Sequence, residues 1–418
     1  MEAHQDKYGA GDPVVPANVS RRHTMAAHLF SASIIGILLK QLRFIGESIG
    51  AFEIIALVCA VYFIANSRKR PLVTDVYIVH FMLLLLGAFC CGAIVSLCFF
   101  PNHFNLREVV ATTHTTVIVL GWIFYTEGEF IDRIRLLRDY LAVYCMIVLV
   151  VAIFAYPIAP WLWYFNVYRL MGLSDNPNQL AGLCVFGLAM SAIIVDGQRS
   201  VRGWDIRAGA AILIAGLLTQ SVSFILSICA AALLALTMYV FSMTSHNSIA
   251  RRLYFLSTQI TLLVGLLLML LFGGKIVDAL VYLYQGGPGK GSTRLGYWIE
   301  ALGEVSSSPI VGFGPGGHVR VDHSPLLQEA HNVFIELLLS GGIVSLAAFM
   351  LLLTALLVTA VRYSMPLTLF AVVALIIFAM FQTILRHGYY WIALHASLTS
   401  IFLASTRDHA VSLNSDKD

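Results

Sequence analysis

Of the chain's 418 residues, 59% are hydrophobic and only 12% are charged, roughly half the charged share of an ordinary soluble protein. That composition excludes a water-soluble protein built on one or two cores, and also disordered, collagenous and disulfide-scaffold chains. The formal net charge of +3, from 26 basic and 23 acidic residues, is too small to point to nucleic acid.

The first 24 residues are polar, contain Pro13 and Pro16, and lack the charged-then-apolar pattern of a cleaved signal. They read as a cytoplasmic tail. A helix needs about 20 apolar residues to cross the hydrocarbon of a bilayer. Segments 25–43, 48–66, 75–98, 109–126, 139–160, 178–196, 206–219, 221–242, 253–273, 332–361, 365–385 and 389–405 come close to that requirement. The seventh and eighth are split only by Thr219, Gln220 and Ser221. The fold expected is an all-α polytopic membrane protein of about 12 transmembrane helices. Nine spans occupy 25–273, a long loop with short helices occupies 274–331, three spans occupy 332–405, and 406–418 is a C-terminal tail. The cysteines fall in or beside apolar runs without CxxC spacing, so neither a disulfide framework nor a cysteine metal site is expected.

Lys and Arg are retained on the cytoplasmic side of a membrane. Arg68, Lys69 and Arg70, then Arg133, Arg135 and Arg138, then Arg199, Arg202 and Arg207, and then Arg251 and Arg252 occur in every second connection. Both termini are therefore expected in the cytoplasm and the long loop outside. Chemistry in that loop must use an activated substrate delivered through or in the membrane, because cytoplasmic nucleotides do not reach it.

The loop's glycine tract, Gly286 to Ser292, lacks the adjacent Gly-Lys-Ser of a phosphate loop, since Gly291 separates Lys290 from Ser292. It reads as a tether. Arg294, Tyr297 and Trp298 have the spacing of one helical face. An Arg fixed by ring packing suits phosphate, because its planar fork binds two oxygens at once; the plainer alternative is an Arg that snorkels to the interface. Ser308 to Gly317 is rich in turns, and its glycines allow close backbone approach. Ser324-Pro325 reads as the start of a helix that carries Glu329, His331, Asn332 and Glu336 into the tenth span. Imidazole titrates near neutral pH, so a histidine at that boundary suits proton removal from a hydroxyl; the alternative is a packing residue. His318, Asp322, His323 and His331 match no zinc spacing, and no metal or other cofactor is expected. Thr112 to Thr116, including His114, and Glu53 are polar residues inside spans. They suit helix–helix hydrogen bonding or a substrate path.

Taken together, Arg294-x3-Trp298, Pro309-x2-Gly312-x-Gly314 and Ala330-His331-Asn332-x-Phe334-x6-Gly341-Gly342 resemble the O-antigen ligase and polymerase superfamily. Asp175-Asn176-Pro177-Asn178-Gln179-Leu180-Ala181-Gly182 also resembles it. The resemblance implies a GT-C-like transferase of the bacterial inner membrane, with its active site on the periplasmic face. Its partners would be an undecaprenyl-diphosphate-linked glycan donor, a lipid A–core or lipid-linked glycan acceptor, and membrane lipid. By position, Arg294 would bind the diphosphate and His331 would assist the acceptor, with Trp298 and Asn332 beside them, and no metal is implied. A leaving diphosphate carries delocalised negative charge that a cation stabilises. The chain departs from the family at Thr219-Gln220-Ser221, where the family carries a second Arg. Arg169, Arg320 or Lys290 are candidates to replace it, or Gln220 and Ser221 supply neutral hydrogen bonds. The length and the single large loop suit a ligase; a polymerase is the alternative, and a lipid-linked glycan transporter stands behind both.

Overall fold

The computed structural model describes residues 17–37, 50–66, 73–126, 129–154, 162–164, 169–174, 176–196, 202–244, 298, 301–317, 331–382 and 387–415. The helices are α1 (Ala17–Gly36), α2 (Ala51–Asn66), α3 (Val73–Phe99), α4 (Leu106–Thr126), α5 (Phe130–Phe154), α6 (Pro177–Asp196), α7 (Gly203–Leu218), α8 (Val222–Thr244), α9 (Val333–Arg362), α10 (Pro366–Ala379) and α11 (Gly388–Ser415). Each overlaps one expected span. The expected ninth span, 253–273, lies outside the described residues. Among the described residues six helices are long and apolar enough to cross a membrane, on α3, α4, α5, α6, α8 and α9. The chain is thus an all-α, multi-pass membrane protein.

α6 is the centre of the bundle. Its residues from Leu180 to Phe186 are buried on every side, and it packs against α5, α7, α8, α10 and α11. A second group joins α1, α2 and α4, with Gly121 letting α4 approach the backbone of Ala60 closely. α3 lies along α9, and its small residues Gly92 and Ala93 face segment 309–314 described below.

The tenth expected span differs most in detail. His331 and Asn332 were expected on a helix begun at Ser324; instead His331 has φ 50 and α9 begins at Val333. The reason is capping. Asn332 Oδ1 accepts from the amides of Phe334 (3.0 Å) and Ile335 (3.3 Å), satisfying donors that a helix start leaves open. α9 is then broken at Gly341 and Gly342, the latter at φ 64, ψ −162. In an uninterrupted helix the Ile343 amide would donate to the Leu339 carbonyl. Here it donates to Pro309 O (2.9 Å), while Leu339 O accepts from Phe313 N (2.6 Å) and Ser340 O from Gly314 N (2.9 Å). Residues 309–314 are therefore hydrogen-bonded into the break, about 10 Å along α9 from its start. Ser96 of α3 closes the other side, donating to Phe313 O at 2.5 Å. Irregular backbone at such depth is tolerated only where protein satisfies it, and here two helices do.

α10 ends at Ala379, short of the expected 385, because the chain turns at Met380 and Phe381. With 14 residues it is about 21 Å long, less than the ~30 Å hydrocarbon core. A short feature absent from the expected elements precedes α6: an antiparallel hairpin of β1 (Trp163–Tyr164) and β2 (Arg169–Leu170), in which Tyr164 pairs with Arg169.

Candidate functional site

The Asn-Pro-Asn motif is a helix start. Asn176 Oδ1 accepts from the Gln179 amide (3.1 Å), and Pro177 takes the first helical position, where a missing N–H costs nothing. One residue on, Asn178 projects its side chain towards the turn between α7 and α8. The hairpin reaches the same place. Its exit is held by the Met171 and Gly172 amides on Leu162 O, and by Tyr144 OH, which accepts from Leu173 N at 3.1 Å. Gly172 lies at φ +59 with Tyr144 OH 2.6 Å from where a Cβ would sit, so a larger residue would adopt a strained backbone and displace that hydroxyl.

β2 thereby delivers Arg169, half-buried, to the α7–α8 turn. Its Nε donates to Thr219 O (2.8 Å) and its Nη2 to Asn178 Oδ1 (3.3 Å). Ser221 Oγ donates to the same Asn178 oxygen (3.0 Å) and contacts Ser223 Oγ (2.9 Å). Gln382, from the break between α10 and α11, donates Nε2 to Ser223 Oγ (3.2 Å). Gln220 occupies the left-handed region at φ 50, a conformation that costs a non-glycine residue about 1 kcal/mol. The turn is thus held in a strained shape, with Thr219, Ser221 and Ser223 buried.

Of the residues expected in the site, this cluster gathers Arg169, Gln220 and Ser221. His331, Asn332 and Trp298 are built on other elements. His331 is half-buried and Asn332 fully buried at the start of α9, and among the described residues Asn332 Nδ2 has no hydrogen-bond partner. Glu336, one turn later, is buried as well, and Trp298 is buried. Arg294, Arg320, Lys290, Tyr297, the Gly286–Ser292 tract and the triplet His318, Asp322 and His323 lie outside the described residues. Among the described residues no group of three or more His, Cys, Asp or Glu is placed to hold a metal ion.

Residues 208–350, roughly a third of the chain, match the family model described as O-antigen ligase. This segment is similar to the O-antigen ligase family. It carries the Pro309–Gly314 segment, His331 and the Gly341-Gly342 break, on which part of the sequence resemblance rests, and also the α7–α8 turn, where the chain departs from the family's pattern. The match supports a glycosyltransferase-type enzyme of the ligase and polymerase class, acting on lipid-linked glycans in general. No curated protein matches the chain.

Gln382 and Ser223 were missed by sequence reading. Both lay inside stretches read as continuous apolar spans, and only the early end of α10 exposes Gln382 as a polar residue at a break. The intramembrane polar residues have a structural use. His114 Nε2 lies 3.1 Å from Glu53 O, Thr113 and Thr116 bond carbonyls one turn back, and Glu53 accepts from Gly50 N to cap α2. The His114 contact ties α4 to α2, and the others are made within one helix or at its start.

Proposed function

We propose that the protein is a metal-independent, inverting glycosyltransferase of the bacterial inner membrane. It moves a glycan from undecaprenyl diphosphate to an acceptor hydroxyl on the periplasmic face. In this reading both termini are cytoplasmic and segment 274–331 is periplasmic. The acceptor is lipid A–core, making the protein an O-antigen ligase.

The observation that carries this reading is the seating of Arg169 on the Thr219-Gln220-Ser221 turn. The turn lies in the segment similar to the O-antigen ligase family, at the position where the resemblance calls for a second Arg, and a guanidinium from β2 occupies it. Arg169 and Arg294 then hold the two phosphates. His331 takes the proton of the acceptor hydroxyl, whose oxygen attacks the anomeric carbon from the face opposite the diphosphate. The bond to the phosphate oxygen breaks, the diphosphate leaves with the electron pair, and two cations stabilise it as charge develops. Asn332 and Trp298 line the acceptor side, with Arg320 a further candidate ligand of the lipid diphosphate.

Depth supports the same assignment. α7, with 16 residues, is about 24 Å long, and α10 is shorter still. At their far ends Asp205 of α7 is held by Arg138, and Thr368 of α10 by Asp196 of α6. With those far ends at the cytoplasmic surface, as in this reading, helices of such length end short of the opposite surface. That is a suitable depth for a diphosphate whose prenyl chain stays in lipid.

The test is transfer by purified protein in detergent, supplied with undecaprenyl-diphosphate-linked glycan and lipid A–core. Polymer on lipid A–core is the expected product. Lengthened lipid-linked chains in place of it identify a polymerase, and no transfer to either acceptor overturns the enzyme reading.

A further inference from the structure

One chain of hydrogen bonds runs from Arg169 to Gln382, and its direction is set at the arginine. A guanidinium only donates, so Arg169 Nη2 requires Asn178 to present its carbonyl oxygen. Ser221 must then donate to that oxygen, which uses the one proton of its hydroxyl. Across the 2.9 Å contact between Ser221 and Ser223, Ser223 is therefore the donor, and its own oxygen must accept. The acceptor role is filled by Gln382 Nε2 at 3.2 Å. Each step forces the next, and the reverse orientation of the Gln382 amide would leave one of the two hydroxyl contacts without a proton. The serines are buried and Gln382 is only 9% exposed, so water does not readily substitute.

We propose that Gln382 is a positioning residue for the lipid diphosphate: donating from the far end of this chain, it orders Asn178 and so fixes the guanidinium of Arg169. The inference rests on the role given to Arg169 in the proposed function. It adds a residue from the α10–α11 break, outside the segment similar to the O-antigen ligase family, to that site. It also explains why a polar side chain is kept where the surrounding sequence is apolar.

The decisive variant is Gln382→Glu, which matches the side chain in size but accepts where glutamine donates. Ser223 then turns its proton to the carboxylate, and Ser221 and Ser223 face each other with one proton too few. The full chain in detergent is expected to bind undecaprenyl diphosphate about tenfold more weakly, with the donor KM raised by more than kcat falls. The new negative charge is separated from this effect by Ser223→Ala. In that background no hydroxyl remains to turn, and Gln382→Glu is expected to change binding by less than about twofold. A tenfold loss in both backgrounds assigns the effect to charge repulsion and overturns the proposal. Should Gln382→Glu fail to fold, Gln382→Met, which neither donates nor carries charge, is expected to weaken binding about threefold. Wild-type binding by that variant also overturns the proposal. Arg169→Ala keeps the two readings apart: if it binds undecaprenyl diphosphate normally, the assignment of Arg169 fails. If it loses binding while Gln382→Glu does not, only the role of Gln382 fails.

Discussion

Arg169 donates to the carbonyl of Thr219 at 2.8 Å, across fifty positions of sequence and between a two-residue strand and a helix–helix turn. That contact places a permanent cation at a turn which contains none of its own. Charge-assisted hydrogen bonds contribute about 1.5–3 kcal/mol each, so the geometry of the turn depends on Arg169 as much as any bound anion does.

Arg169→Ala is therefore expected to lower glycan transfer about 10- to 100-fold, since each 1.36 kcal/mol is a factor of ten. Arg169→Lys restores only part of it, because an ammonium cannot serve Thr219 and Asn178 at once as the fork does. Glycan ladders and rates with purified protein are the measurement. Equal rates for the lysine variant and the wild type would refute the fork geometry.

The glycine motifs lead to an expectation about folding instead of chemistry. A Cβ on Gly342 would sit 1.9 Å from Ile310 O, and one on Gly312 would sit 2.4 Å from Leu339 O, at φ values of +64 and +66. Neither backbone can yield without undoing the bonds that fill the break in α9. Gly342→Ala should destabilise the protein by about 2–4 kcal/mol or prevent its accumulation. Gly209→Ala, in the interior of α7 with open space around it, should instead stabilise by about 0.5–1 kcal/mol. Melting in detergent separates the two, and a tolerated Gly342→Ala contradicts the docking of segment 309–314.

Sequence patterning identified the helical class and most helix positions because lipid imposes a length and a hydropathy on every span. The sixth span was expected from 178, one residue from the start of α6 at Pro177, because the apolar run begins where the helix does. The glycines of 309–317 announced close approach, but nothing local says that their partner is a break in α9. Arg169 was one of several candidates, since its contact with Thr219 depends on how a hairpin closes. Gln382 was hidden because Met380 and Phe381 are apolar: hydropathy continues through them although the helix does not.

On the far side of the bundle, Arg138 is fully buried and bonded to Asp205 at 2.6 Å and Asp139 at 2.7 Å. Asp205 also accepts from the amide of Arg202 at 3.0 Å, capping α7. Removing Asp205 leaves the buried guanidinium with Asp139 alone and α7 without its cap, at a cost of up to about 3–5 kcal/mol. Asp205→Ala should therefore reduce protein abundance and melting temperature, while the folded fraction retains its binding of undecaprenyl diphosphate. Arg138→Met with Asp205→Leu should recover part of the loss. A single variant with unchanged melting would show that the pair is solvated and not buried.

His331 is one of three non-glycine residues with positive φ among those described, with Gln220 and Ser364. Two of the three are residues proposed for the site, and strained backbone of this kind persists where a function requires it. A histidine kept only for packing would be replaceable by a residue that suits the conformation better. His331→Gly relieves the left-handed strain of about 1 kcal/mol, which offsets the loss of the side chain's own contacts, so its melting temperature should stay close to the wild type's. Asn332 still caps α9 through its own side chain in that variant, so the helix start is preserved. Transfer is nonetheless expected to fall at least about 100-fold, the contribution typical of a positioned acid–base group. Binding of undecaprenyl diphosphate should be unaffected, because in the proposed reaction His331 serves the acceptor and not the leaving group. A stable His331→Gly protein that transfers glycan at the normal rate would leave the imidazole without a chemical role.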